Sequence, residues 1–168
     1  PKVLRYRAEK MPSTIALRDK DLGIWNEITW EGYHEIVSNL ALGLVKRGFK
    51  LGDVIGLIGD NKPSWLFFEL AAQAVGGMSL GIYRDTLDEE VGYLIDAAKV
   101  NFAFAEDQEQ VDKLLAIKRT KNNKITIFYE DSRGLKELND PHIIDMVQLI
   151  NEGKAIAAKN PNSYNKLI

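Results

Sequence analysis

Asp53–Thr86 reads DVIGLIGDNKPSWLFFELAAQAVGGMSLGIYRDT, and this stretch decides the fold. Val54 to Ile58 is a short apolar run rich in β-branched residues, bounded by Gly52-Asp53 and Gly59-Asp60, as expected for a strand buried on both faces. A helix follows, with Asn61 or Ser64 as its cap and Pro63 in a first turn where a missing N–H costs nothing. Leu66, Phe67, Leu70, Ala71, Ala74 and Val75 recur at helical spacing and give it one face for a sheet. Gly76-Gly77 ends it, and Met78 to Tyr83 forms a second apolar run. Strand, helix and strand at this spacing imply two parallel neighbours.

The flanking segments extend the pattern in both directions. Lys2 to Lys10 predicts a short helix stopped by Met11-Pro12, because the residue before proline leaves helical space. Ile15–Arg18 and Trp25–Trp30 flank a turn over Asp19 to Gly23, a hairpin signature. Thr29 caps a helix whose stripe is Ile36, Val37, Leu40, Ala41, Leu44 and Val45, and Gly48 supplies its left-handed stop.

Beyond the central unit, Thr86-Leu87-Asp88-Glu89 has capping-box spacing ahead of a helix through about Ala98, with Leu87, Val91, Leu94, Ile95 and Ala98 inward. Val100 to Ala105 is a third strand. Asp107 with Gln110 repeats the capping arrangement, Val111, Leu114, Leu115 and Ile117 carry the next helix, and Ile125 to Tyr129 is a fourth strand after a turn over Thr120 to Asn123. Ser132 to Pro141 reads as loop and Ile143 to Ile150 as a short helix. Gly153 to Ile168 carries three lysines and no acid, as in a connector or a helix that needs a partner. The whole is an α/β chain with an open, mostly parallel sheet, helices on both faces and a leading hairpin.

A length of 168 residues with 45% hydrophobic composition suffices for a sizeable core. The net charge of −2 argues against nucleic acid or anionic lipid as partners, and the absence of cysteine excludes disulfides and thiolate chemistry. No apolar run reaches the ~18 residues of a membrane span, and PKVLRYRAEKMPS lacks signal-peptide organisation. A cytoplasmic location is expected, compatible with peripheral contact to a membrane.

Neither G-x-x-x-x-G-K-[ST] nor G-x-G-x-x-G occurs, so no phosphate cradle is expected from Gly52, Gly56, Gly59 or Gly76-Gly77. His34 and His142 read as surface residues without metal or triad neighbours, so neither a metal site nor a catalytic residue is expected. Asp88-Glu89-Glu90 and Glu106-Asp107 read as acids favoured by helix N-termini. Trp65, Phe67 and Phe68 read as core or a domain contact. Tyr83-Arg84-Asp85-Thr86 reads first as a plain strand-to-helix turn, and it stands just outside the carboxyl end of a parallel strand, where open α/β sheets place ligands.

Three phrases, IALRDKDLGIWNEITWEGYHEIVSNLALGLVKRGFKLGD, VIGLIGDNKPSWLFFELAAQAVGGMSLGIY and DEEVGYLIDAAKVNFAFAEDQEQVDKLL, resemble in order and spacing the N-terminal part of the adenylate-forming acyl-CoA synthetases, specifically the long-chain fatty acid branch. The resemblance implies an enzyme that uses ATP and Mg²⁺ to turn a fatty acid into an acyl-adenylate and then passes the acyl group to coenzyme A. It further implies that residues 1–152 are the α/β part of an AMP-binding domain, that 153–168 lead toward a phosphate loop, and that the rest of such a chain is their partner. Taken alone these residues are expected to be inactive and to bind none of the cofactors tightly. In related synthetases the segment matching Gly81, Ile82, Tyr83 and Arg84 lies at the edge of the coenzyme A site. Long-chain members commonly read Tyr-Pro-Thr there, and Arg84-Asp85-Thr86 departs from that. The alternatives are a non-catalytic binding or interaction module descended from such an enzyme, and a small flavodoxin-like nucleotide- or flavin-binding domain.

Overall fold

A computed structural model describes residues 1–121, 125–135, 138 and 140–168. Helix α1 (Lys2–Lys10) leads into a hairpin of β1 (Ile15–Asp21) and β2 (Ile24–Thr29), followed by α2 (Trp30–Lys46). Then come β3 (Val54–Ile58), α3 (Pro63–Ala74), β4 (Met78–Ile82), α4 (Asp88–Ala97), β5 (Phe102–Ala105), α5 (Gln108–Lys121), β6 (Thr126–Tyr129), β7 (Ile143–Asp145) and α6 (Met146–Lys159). A 3₁₀ turn spans Tyr164–Lys166. Strands β3 to β7 form one parallel sheet in the order β4-β3-β5-β6-β7, and the hairpin stands as a separate antiparallel pair.

The period-2 alternation of the strands sorts two cores onto the two faces. On one face Ile55, Leu57, Phe102, Phe104 and Phe128 meet α2, α3 and α6, and on the other Ile58, Ile82, Ala103, Ala105 and Ile127 meet α4 and α5. Phe68 of α3 stacks on Phe104 at 4.5 Å and lies 5.8 Å from Phe128, so one aromatic cluster anchors the helix to β5 and β6. Gly43 and Gly153 let α2 and α6 touch at backbone level, since an added Cβ on Gly43 would lie 2.5 Å from the Leu149 carbonyl oxygen.

Several expectations need correction. Ile143–Asp145 is a fifth strand, not the start of a helix; it pairs with β6, and the Asp145 carboxylate then caps α6 by accepting the Val147 N–H. Helix α6 runs unbroken to Lys159 and finds its partner in α2. The hairpin strands reach further than expected, and the turn narrows to Leu22-Gly23, both at positive φ. Helix α4 starts one residue late: Thr86 donates its N–H to Tyr83 in a turn, Leu87 becomes the cap position without a side-chain bond, and Leu87 is 71% exposed rather than inward.

For α3 neither expected side chain caps the helix; the cap position is Lys62, and the Ser64 hydroxyl is used elsewhere. Phe68 and Ala72 are fully buried beside Phe67 and Ala71, while Leu66 and Leu70 are half-buried, because α3 lies between the sheet and α2 and buries more than one stripe. His34 is half-buried, with its ring edge-on to Tyr164 at 5.4 Å, and burial followed by the nearby Arg5 charge lowers its pKa. His142 is exposed as expected. Of the turn expected at Thr120 to Asn123, Thr120 and Lys121 belong to the end of α5, and Asn122 and Asn123 lie outside the described residues.

Candidate functional site

The carboxyl ends of β3, β4, β5 and β6 share one edge of the sheet, and the connections leaving them carry a connected polar network. It starts from Gly59, whose φ of +153° and missing side chain leave room for Glu106; a Cβ there would lie 2.6 Å from the Glu106 Cβ. Glu106, with a side chain only 9% exposed, uses that proximity. Its Oε2 accepts the Asp60 N–H at 2.5 Å and its Oε1 lies 2.7 Å from Lys62 Nζ. The hydrogen bond to Glu106, then the charges of Glu106 and Glu130, raise the Lys62 pKa against the opposing effect of burial. Ser64, buried at the start of α3, donates its hydroxyl to Glu130 at 2.7 Å. The connection 59–62 is therefore held from beneath by a buried carboxylate.

Gly81 to Asp85 form the facing wall. Gly81 admits Trp65, since a Cβ there would lie 2.6 Å from the indole Cη2. Between the walls is a cavity of about 600 Å³ lined by Gly59, Asp60, Asn61, Trp65, Gly81 and Ile82, with Tyr83, Arg84 and Asp85 at its rim. Arg84 crosses from one wall to the other: Nη1 lies 2.5 Å from Asp60 Oδ2, and its backbone carbonyl accepts from Lys113 Nζ at 2.6 Å. The Asp60 hydrogen bond and charge together hold the Arg84 pKa above its ordinary value.

The structure places Gly81 and Ile82 at the end of β4 and Tyr83 and Arg84 just after it, all four lining one cavity. It splits the aromatic trio: Phe67 and Phe68 are core, whereas Trp65 lines the cavity. Phe68, at 0% exposure, belongs to no open apolar face. Glu106 was misjudged as a first-turn acid; it precedes the Asp107 cap of α5 and serves the β3–α3 connection instead. A signal for it existed, since a charged residue directly after FAFA sits at the same sheet edge as Gly59-Asp60 after VIGLI.

Phosphate groups of a nucleotide do not fit these side chains as arranged. Around the Arg84 guanidinium stand Asp60, Asp85 at 3.9 Å, Asp107 at 3.8 Å and Glu109 at 4.0 Å. Lys113, the neighbouring cation, is itself 3.4 Å from Glu109. An anion placed beside Arg84 would meet like charge on several sides before it met the guanidinium. Among the described residues no group of three or more His, Cys, Asp or Glu is arranged to hold a metal ion, and no helix is long and apolar enough to cross a membrane.

A family model described as AMP-binding enzyme matches residues 4–161. The chain is 26% identical over 156 residues to the long-chain-fatty-acid–CoA ligase ACSBG2 of Rattus norvegicus, covering 93% of this chain and 23% of that protein. To the long-chain-fatty-acid–CoA ligase ACSBG1 of Homo sapiens it is 27% identical over 145 residues, covering 86% and 20%. The chain therefore spans about a fifth to a quarter of the length of these curated relatives. The solved structure of coronafacic acid ligase from Pectobacterium brasiliense superimposes with a TM-score of 0.77 at 14% identity, covering 89% of this chain and 29% of that one. At that identity the likeness speaks for the fold alone.

Proposed function

The chain belongs to the AMP-binding enzyme family, and from that premise we propose that it forms the N-terminal α/β part of a long-chain fatty acid–CoA ligase. The observation that carries the reading is the similarity to a long-chain-fatty-acid–CoA ligase, 26% identical over 93% of the chain. In such a ligase ATP, with Mg²⁺, activates the fatty acid as an adenylate, and coenzyme A supplies the thiol that takes the acyl group.

The 168 residues contribute scaffold to that chemistry. Residues 1–152 build the sheet and most of its helical layers, and 153–168 complete α6 and seat Tyr164 in the same core. The carboxyl edge of the sheet presents Gly81, Ile82, Tyr83 and Arg84 as the edge of the coenzyme A site. No phosphate-loop motif lies in these residues, which supports the reading that they do not adenylate a substrate unaided. The setting that suits this role is the cytoplasm, with fatty acid and coenzyme A as small-molecule partners.

The coding DNA read past Ile168 tests the proposal. An in-frame Ser/Thr/Gly-rich loop with its lysine, in a product that converts palmitate, ATP and coenzyme A to palmitoyl-CoA, is the expected result. A stop codon at that point, or a longer product that forms no thioester, would overturn it and favour a free-standing module.

A further inference from the structure

Asp60 and Arg84 approach each other with their backbones already fixed. The Asp60 N–H is bound by the buried Glu106 carboxylate, and the Arg84 carbonyl is bound by Lys113 Nζ. An exposed ion pair usually gains little because two long side chains must be immobilised. Here both ends are held in advance, the contact is 2.5 Å, and the pair joins the two walls of the cavity. The next carboxylates, those of Asp85, Asp107 and Glu109, lie within 4.0 Å of the guanidinium and set negative charge beside it.

We propose that Asp60 is a specificity-determining residue: it locks Arg84 across the cavity and keeps phosphate-bearing ligands out until the pair is broken. Groups that donate hydrogen bonds are received by Asp60, Asp85 and the Asn61 amide oxygen, whereas a phosphate has to displace Asp60 from Arg84 first. Only the identity of the phosphate-bearing ligand rests on the ligase reading; the Asp60–Arg84 pair is tested with pyrophosphate whether or not that reading holds.

The test titrates the chain with inorganic pyrophosphate at low salt and follows the Arg84 Nε–H resonance and the Trp65 indole N–H by NMR. The natural chain should show no saturable shift up to about 10 mM, the weak end of specific binding. Asp60→Asn should bind at least about tenfold more tightly, with affinity falling as salt rises, because the freed guanidinium makes charge-assisted hydrogen bonds. Asp60→Asn combined with Arg84→Gln should lose that gain. Asp60→Ser provides a second route should the asparagine variant misfold. Saturable pyrophosphate binding at Arg84 in the natural chain, or no gain in either folded Asp60 variant, would overturn the proposal.

Discussion

Replacing Gly153 by alanine sets helix propensity against packing, and the structure decides between them. In a solvent-facing helix the change would stabilise by about 1 kcal/mol. In α6 the new Cβ would lie 2.6 Å from the Asn39 carbonyl carbon, 2.9 Å from its Cα and closer still to its oxygen. These are backbone atoms of α2, so no rotamer change relieves the clash. The shortfall from an ordinary 3.4 Å contact is about 0.8 Å at the carbon alone, and α6 must shift bodily to recover it. Overpacking of this kind costs about 3 kcal/mol at the upper end of the usual range, which leaves a net loss of about 2 kcal/mol. For a chain of this length that corresponds to a fall in Tm of roughly 4–8 °C. Thermal unfolding followed by circular dichroism reads the effect, with Val147→Ala, at a 62% exposed position of the same helix, as the control expected within about 0.5 kcal/mol. Gly43→Ala should destabilise similarly, and the double variant should lose less than the two combined, because one displacement of α6 relieves both contacts. A Gly153→Ala chain as stable as the parent would refute the close helix contact.

Three further outcomes follow from the local geometry. Asp107→Ala should cost about 1 kcal/mol in urea unfolding, since it removes the acceptor of the Gln110 N–H; Thr86→Ala, whose hydroxyl caps nothing, should stay within about 0.5 kcal/mol. Glu106→Ala leaves the Asp60 N–H and the Lys62 ammonium without their buried acceptor and should destabilise by about 2 kcal/mol, with hydrogen exchange at Asp60 rising more than exchange in β5. The Asp140 carboxyl is held below its ordinary value of 3.8, first by the Lys118 hydrogen bond and then by the His142 N–H. A carboxyl depressed in the folded state stabilises above its unfolded pKa and loses that contribution as pH falls through the folded one. Stability should therefore drop as pH falls below that ordinary value, and Lys118→Met should make the acid limb shallower.

The central unit was legible because its signals do not compete. Val54–Ile58 is bounded by glycines on both sides, and Met78–Ile82 begins where Gly76 takes a φ of +84°. Helix α2 was readable from Thr29, which does accept the Gly32 N–H at 3.1 Å. β7 was hidden by its brevity: three residues, Ile143–Asp145, gain strand geometry only by pairing with β6, and the last of them doubles as the α6 cap. Thr86 failed as a cap because α4 starts at Asp88 with Leu87 in the cap position, and Thr86 closes a turn on the Tyr83 carbonyl one residue ahead of it.

At the site, the sequence placed Gly81 to Arg84 at a sheet edge but gave no partner for Arg84. Asp60 is 24 positions away and Glu106 is 46 positions from Asp60, so their meeting depends on β3 lying between β4 and β5. Strand order is a property of the assembled sheet, and no local pattern encodes it.

ATP–pyrophosphate exchange by the purified 168-residue chain, with palmitate as substrate, tests the central claim most directly. A chain that unfolds cooperatively yet shows no fatty-acid-dependent exchange above blank is what a scaffold portion predicts. Sustained exchange that requires palmitate would mean that these residues handle ATP themselves, and the account would be wrong.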